Sequence, residues 1–416
     1  MLLRRLRGLR HSLALRGLTG TLLHAIDIQA GRDATTNAPS TAQIPLGNGP
    51  AILVIDAVMP DPTRDSGSVR MFGILTLLRD IGWNVVFAPD SGRSTASERD
   101  ALQRQEIEVI GIPGSPSLPG WLEDNGNRLG ATMLCRHDVA AMHFDLVRAL
   151  APRARIAFDT VDLHGLREER TARVSGDRAL LRISRRSWNV ERKLASRSEV
   201  TFVVSPVEQE LLRKEVPGAR VELLSNIHEV VGRTSSFAQR HGMLFVGGFG
   251  HPPNRDAAHW LVERILPLLH EQVPAMPLHL VGAIGGEERR LLEREHVHVH
   301  GQVADLTPLM EACLVAVAPL RAGAGVKGKV NSAMSHGLPV VATTIAAEGM
   351  HLLDGHDVLV ADTAEQFAAA IALLSRDRLL WEGLSRHGME NIQRHFSRAQ
   401  ARRVLESSFG EPFAPV

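Results

Sequence analysis

The chain has 416 residues, of which 44% are hydrophobic and 22% charged, enough to bury large cores in two domains. Its net charge of +1 removes any overall electrostatic case for nucleic acid. The two cysteines, Cys135 and Cys313, lie in apolar surroundings, which argues against a disulfide framework and favours a reducing, cytoplasmic setting; no apolar run is long enough to span a membrane.

Residues 1–49 differ in character from the rest. Arg4, Arg5, Arg7, Arg10 and Arg16 alternate with leucines, and no acidic residue precedes Asp27. This predicts a basic amphipathic helix over about residues 1–30 and then a polar linker. An anchor at an anionic, inner membrane face, a transit-like segment and a helix packing on its own protein all fit the pattern.

From Ala51 the pattern becomes strand, loop, helix, repeated. Short apolar runs at Ala51–Ile55, Asn84–Ala88, Glu108–Ile112, Thr132–Cys135, Arg155–Phe158 and Thr201–Val204 alternate with helical segments such as Ser68–Arg79. Such runs predict parallel strands buried on both faces. Arg167–Arg197 reads as helical with a break at Ser175-Gly176, and the polar stretch Asn226–Gly242 as an interdomain linker. A second α/β unit begins at Met243–Val246, with a helix over Asp256–His270. Strands follow at Leu278–Val281, Val297–Val299, Leu314–Ala318, Pro339–Ala342 and Val358–Val360, and then a helical stretch, Leu379–Ser408. The expected architecture is α/β: two doubly wound, Rossmann-like domains facing across a crevice at the strands' carboxyl ends. The expected divisions are 50–228, 229–395 and a C-terminal helix, 396–416, returning toward the first domain.

The chemistry concentrates in Pro319–Val341, PLRAGAGVKGKVNSAMSHGLPVV. The whole chain has four lysines, against 43 arginines, and two of the four, Lys327 and Lys329, stand in this glycine-rich loop. A compact ammonium beside glycine backbone suits a phosphate, as does the N-terminus of the helix that follows. Gly323, Gly325 and Gly328 also fit G-x-G-x-x-G, with Glu348 about 20 residues on as a dinucleotide site requires. Yet that fingerprint normally opens its domain, and here several strands come first. Gly323–Lys329 fits G-x-x-x-x-G-K too, but Val330 stands where a magnesium-binding hydroxyl belongs.

On the first half, Asp159, Asp162 and His164 follow the strand Arg155–Phe158, where a carboxylate and an imidazole can position or deprotonate a hydroxyl. Asp162 could equally cap the helix starting near Gly165. Arg64, Asp65, Ser66, Gly67 and Ser68 lead into a helix; substrate contact and N-capping by Ser66 or Ser68 both fit. His296, His298 and His300 alternate with valines and read as one polar strand face rather than metal ligands.

Taken together, Phe245-Val-Gly-Gly-Phe, Val299-His-Gly-Gln-Val-Ala-Asp-Leu, Ala318–Lys329 and Gly337-Leu-Pro-Val-Val-Ala-Thr resemble the GT-B glycosyltransferases of family 4, the bacterial group 1 enzymes, over about Ala51–Phe396. Asp61-Pro-Thr-Arg-Asp-Ser-Gly-Ser and Phe158-Asp-Thr-Val-Asp-Leu-His resemble their N-terminal loops. The resemblance implies a retaining transfer of a sugar from a nucleotide donor, bound by the C-terminal half, to a hydroxyl acceptor held by the N-terminal half. It also suggests a polysaccharide or lipid-linked acceptor. With that reading, donor contacts are expected at Gly247, Gly248, Gly325, Lys327, Gly328, Lys329, Ser332 and Glu348, and acceptor contacts at Arg64, Asp65, Ser66 and Gly67. The catalytic roles expected of Asp162 and His164 rest on their own chemistry, because the family's usual histidine would align nearer Val161, three residues before His164.

The departures are specific. The family's paired glutamates correspond to Ala324 and Ser332, and its phosphate-clamping Arg and Lys to Gly248 and Asn254. Lys327 and Lys329 are the natural replacements for that clamp. No D-x-D pair occurs, so neither a metal nor another cofactor is expected. A nucleotide-sugar epimerase of the same fold and a catalytically silent glycan-binding scaffold are the alternative readings.

Overall fold

A computed structural model describes residues 49–61 and 65–410. The basic segment at 1–30 and Arg64 lie outside the described residues. The chain divides into two compact units: one of residues up to Glu168, Ala179–Leu224 and Ala401 onward, the other of Glu169–Arg178 and Ser225–Gln400.

The first unit is built on a seven-stranded sheet with the order β3-β2-β1-β4-β5-β6-β7. Its strands are β1 (Ala51–Asp56), β2 (Asn84–Pro89), β3 (Glu108–Val109), β4 (Leu129–Cys135), β5 (Arg155–Asp159), β6 (Val200–Val203) and β7 (Val221–Leu223). All pair in parallel. β1 is buried at every position, as a strand covered by helices on both faces must be. β7 was not expected from the sequence; it is three residues long and only partly buried, too short to show a pattern. The predicted break in the arginine-rich stretch is present: helices His164–Ser175 and Arg178–Arg197 meet at Gly176, whose φ of 71° favours glycine.

The second unit carries a six-stranded parallel sheet in the order β10-β9-β8-β11-β12-β13. These are β8 (Met243–Val246), β9 (Leu278–Val281), β10 (Val297–Gly301), β11 (Val315–Ala318), β12 (Val340–Ala342) and β13 (Leu359–Val360). The stretch read as a linker is not loose. His228 N–H donates to Phe396 O (2.8 Å) and Val231 N–H to Ser335 O (2.8 Å). The Arg240 guanidinium is buried against Met310 O (2.6 Å) and Glu311 (3.0 Å). Arg240 is a polar side chain that is buried to make such bonds, while Glu229, Thr234, Ser236 and Gln239 are exposed. The last helical stretch is also interrupted: Arg378–Asn391 runs into a π-helical turn, Ile392–Phe396, and Ser397 separates it from Arg398–Phe409. Phe409 packs edge-on against Trp83 and Phe202 of the first unit (6.3 and 5.9 Å).

In both sheets the strand order reverses once, between β1 and β4 and between β8 and β11. Loops leaving adjacent strand ends diverge there, and ligands favour that position. No helix among the described residues is long and apolar enough to cross a membrane.

Candidate functional site

In the second unit the residues after β8 and those after β11 converge. Gly247 N–H donates to Val281 O (2.8 Å), and Phe249 N–H to Ala283 O (2.9 Å), tying this loop to the end of β9. The approach is close enough that a Cβ on Gly282, where φ is 141°, would lie 2.1 Å from Gly247 O. Against the Gly247 backbone rests the ammonium of Lys329, from the first turn of helix Gly328–Ser335; a Cβ on Gly247 would meet Lys329 Nζ at 2.9 Å.

Lys329 Nζ donates to Asn254 Oδ1 (2.6 Å) and lies 4.4 Å from the centre of the Phe245 ring, while Asn254 Nδ2 donates to Gly248 O (3.0 Å). Lys329 therefore reaches Asn254, one of the two positions where the resemblance led to the expectation of a clamp residue, and the backbone of Gly247, next to the other. No carboxylate among the described residues pairs with it. Burial, with a smaller contribution from Lys327, pushes its pKa down to about 7.

The rest of the glycine loop closes on itself. Gly323 and Gly325 have φ of 138° and 67°, and Lys327 Nζ donates to Ala324 O (2.9 Å) and Gly325 O (2.6 Å). Lys327 occupies the N-cap position without a side-chain cap, so the first N–H groups of helix Gly328–Ser335 keep their pull on an anion. Ser332 lies in that helix, its carbonyl accepting from Ser335 Oγ (2.8 Å) and His336 Nδ1 (2.9 Å). Glu348 forms a two-pronged ion pair with Arg170 (2.6 and 3.1 Å), and Arg170 also donates to Gly323 O (3.2 Å). Arg170 was not singled out in the sequence; 178 residues separate it from its partner.

In the first unit the ends of β1, β4 and β5 form a polar cluster. Asp159 closes β5 fully buried, clamped by Arg70 through two bonds (2.7 and 2.9 Å), and Arg70 also donates to Leu224 O (2.8 Å). Asp159 is therefore a structural carboxylate. Asp56 accepts from Arg136 Nε (2.7 Å) and from Ala57 N–H (2.7 Å). Helix Ser66–Ile81 is capped by Asp65, which accepts from Ser68 N–H (2.8 Å) and Ser68 Oγ (3.1 Å); the expected caps, Ser66 and Ser68, are the first turn instead. Gly67 leaves room beside Arg136, whose guanidinium would be 3.7 Å from a Cβ there.

Asp162 is not the helix cap either. The N–H groups of His164 and Gly165 donate to Glu191 (2.7 and 3.2 Å), and Asp162 instead pairs with Arg167 (2.7 Å). Glu191 is fully buried, and burial raises its pKa to about 8 against the pull of those two donors. His164 Nδ1 faces Asp162 O at 3.1 Å; a carbonyl only accepts, so Nδ1 carries the proton and Nε2 keeps a lone pair. Burial pushes the His164 pKa down to about 4, so the ring is neutral at pH 7. His137, which opens the helix after β4, lies with its ring centre 4.7 Å from that of His164, the planes tilted by 51°, and has a buried Nδ1 with no hydrogen bond among the described residues. His137, His164 and Glu191 each present a ligand atom within 4.8 Å of the others, the one such group among the described residues. The sequence reading missed His137 and Glu191. His137 stands two residues after a buried strand, which was a usable signal; Glu191 had none.

The three histidines at 296–300 do not share a face. His298 and His300 are exposed on β10, but His296 precedes the strand in a left-handed conformation and meets His270 at 5.4 Å. His279 of β9 takes its place, 2.9 Å from His300.

Comparison with known proteins bears on the second unit directly. Residues 240–377 match the family model described as "Glycosyl transferases group 1". A Klebsiella pneumoniae protein described as an uncharacterized 44.6 kDa protein in the cps region is 24% identical over 178 residues, which cover 41% of this chain and 45% of that protein. The match thus spans less than half of the curated relative. Among solved structures, sucrose-phosphate synthase from Thermosynechococcus elongatus superimposes with a TM-score of 0.66 at 18% identity, covering 86% of this chain and 98% of its own. HepE from Anabaena, in complex with UDP and glucose, gives 0.63 at 14%, with the same 86% and 98% coverage. Residues 240–377 therefore resemble a group 1 glycosyl transferase domain, and the chain has the fold of the GT-B glycosyltransferases.

Proposed function

We propose that the chain transfers a sugar from a nucleotide-sugar donor to a hydroxyl acceptor, with the donor diphosphate held by Lys329, Lys327 and the first turn of helix Gly328–Ser335. The observation that carries this is the Lys329 ammonium. It rests part-buried against Gly247, with no carboxylate partner among the described residues, at the point where the loops after β8 and β11 meet. A cation partly withdrawn from water without a counter-charge favours an anionic ligand. The UDP bound by HepE supports a nucleotide donor.

In this reading the two phosphates restore the full charge of Lys329, and Lys327 exchanges its own loop carbonyls for phosphate oxygen. Both then stabilise the nucleoside diphosphate as its bond to the sugar breaks. Gly247, Gly248 and Gly325 let backbone approach the donor. Ser332 and Glu348, the latter held in place by Arg170, receive donor hydroxyls.

The acceptor belongs to the first unit, at Asp65, Ser66, Gly67, Asp162 and His164. Because His164 is neutral with a free Nε2, it accepts a hydrogen bond from the acceptor hydroxyl and orients it. A base of pKa about 4 does little deprotonation at pH 7. Retention of configuration, independence of metal and a polysaccharide or lipid-linked acceptor complete the proposal. The cps-region relative supports the last of these.

Calorimetry tests the donor site. Lys329→Ala should weaken UDP, GDP or dTDP binding by at least about 1.5 kcal/mol, roughly tenfold. Unchanged affinity for all three in a folded variant overturns the assignment. Slow donor hydrolysis without acceptor separates a transferase from a silent glycan-binding protein.

A further inference from the structure

Helix Arg178–Arg197 has two unlike faces. Ser184, Ser187, Glu191, Leu194 and Ala195 are buried, at the spacing of one helical side. The opposite side exposes Arg182, Arg185, Arg186 and Lys193, with Ile183 beside them 48% exposed. The helix's one acidic residue, Glu191, is buried beneath it, bonded to backbone N–H groups.

Some exposed helical arginines are neutralised one turn away, Arg173 by Glu169, Arg378 by Glu382, Arg386 by Glu390 and Arg402 by Glu406. Others, such as Arg255, Arg290 and Arg403, also lack an ion pair among the described residues, so what sets this helix apart is the clustering of its cations. Even on this helix, Arg192 and Arg197 pair with Glu215 and Asp145. Arg182, Arg185, Arg186 and Lys193 have no ion pair or side-chain hydrogen bond among the described residues. Arg182 stands three and four residues from Arg185 and Arg186, a spacing at which like charges repel and cost the isolated helix a little stability. A concentrated cationic face with an exposed aliphatic side chain matches an anionic bilayer, which supplies headgroup charge and an apolar layer together.

We infer that this face, centred on Arg182, Ile183, Arg185 and Arg186, docks on an anionic lipid bilayer. It rests neither on the donor-site reading nor on residues 1–30. Docking orients the first unit toward a surface on which an acceptor attached to lipid would be presented.

The test uses the full chain with Ile183→Cys carrying a polarity-sensitive fluorophore; Cys135 and Cys313 are buried and do not compete for label. On phosphatidylglycerol–phosphatidylcholine vesicles the emission should shift to the blue and respond to quenchers in the lipid. Pure phosphatidylcholine should give no shift, and added salt should reverse it. Arg182→Glu/Arg185→Glu/Arg186→Glu in the same labelled chain should lower the vesicle affinity read at position 183 at least tenfold, with circular dichroism unchanged. Sedimentation with vesicles while the label stays aqueous would show that another segment binds, and the inference fails. It fails equally if the triple variant keeps the signal, or if an acidic protein or soluble polyanion shifts the label and vesicles do not.

Discussion

Glu191 is fully buried and Lys329 part-buried, neither with an opposite charge among the described residues, and each makes a pH-dependent prediction. For Lys329, with a pKa of about 7 in the free protein, the charged form that a diphosphate selects is abundant below pH 7 and scarce above it. Nucleoside diphosphate affinity should therefore fall as pH rises above 7, by up to about tenfold per unit. Lys329→Met should remove that slope, and calorimetry in buffers of different ionisation enthalpy should detect proton uptake on binding. For Glu191 the folded pKa of about 8 lies above the unfolded value of 4.5. The folded state holds the proton through that window, so its contribution to stability is complete below about pH 4.5 and is lost as pH rises toward 8. Melting temperatures from pH 5 to 8.5 should fall more steeply for the native chain than for Glu191→Gln. Parallel curves would place the titration elsewhere.

Among elements, the two strand-end loops of the second unit are held together by a backbone contact that only glycine allows. Gly282→Ala places a methyl 2.1 Å from Gly247 O at a φ of 141°, and should destabilise the protein by about 3 kcal/mol. Gly248→Ala meets nothing within 4 Å and should leave stability within about 0.5 kcal/mol of native. Urea unfolding of the two variants checks the pair; similar losses would mean that the close approach is not the cause. Helix starts show a related division between local and distant causes. Asp65 caps its own helix from the adjacent position, and such a cap is readable in sequence once the helix is placed. Helix His164–Ser175 takes its first two N–H bonds from Glu191, 27 residues further on, so the local candidate Asp162 was a reasonable but mistaken choice.

For the molecule as a whole, the candidate residues gather where each sheet reverses its strand order. Lys329, Gly247 and Asn254 lie where the strand ends after β8 and β11 meet; Asp56, Arg136 and His137 lie where those after β1 and β4 meet. Turnover with full activity in EDTA is the expected result if the lysines neutralise the leaving group. Should chelation abolish turnover and Mg²⁺ or Mn²⁺ restore it, the metal-free mechanism is wrong. The His137–His164–Glu191 group would then be the place to look for a bound ion.

Much of this was legible in the sequence. Apolar runs at Ala51–Ile55, Met243–Val246 and Leu278–Val281 fixed strands of the two parallel sheets, because a strand covered on both faces must be apolar at consecutive positions. The pairing of Lys327 and Lys329 with glycines in a lysine-poor chain singled out the loop proposed to hold the donor, since composition and spacing are local properties. What the tertiary structure alone decided is which distant groups those local features meet. Asn254 and Phe245 receive Lys329, Arg170 holds Glu348, Arg70 occupies Asp159, and Glu191 takes the N–H groups of His164 and Gly165. Each of these partners is set by the order of strands and the direction of the helices between them. A buried polar group must find its partner in space, and nearness in sequence does not reveal which one it will be.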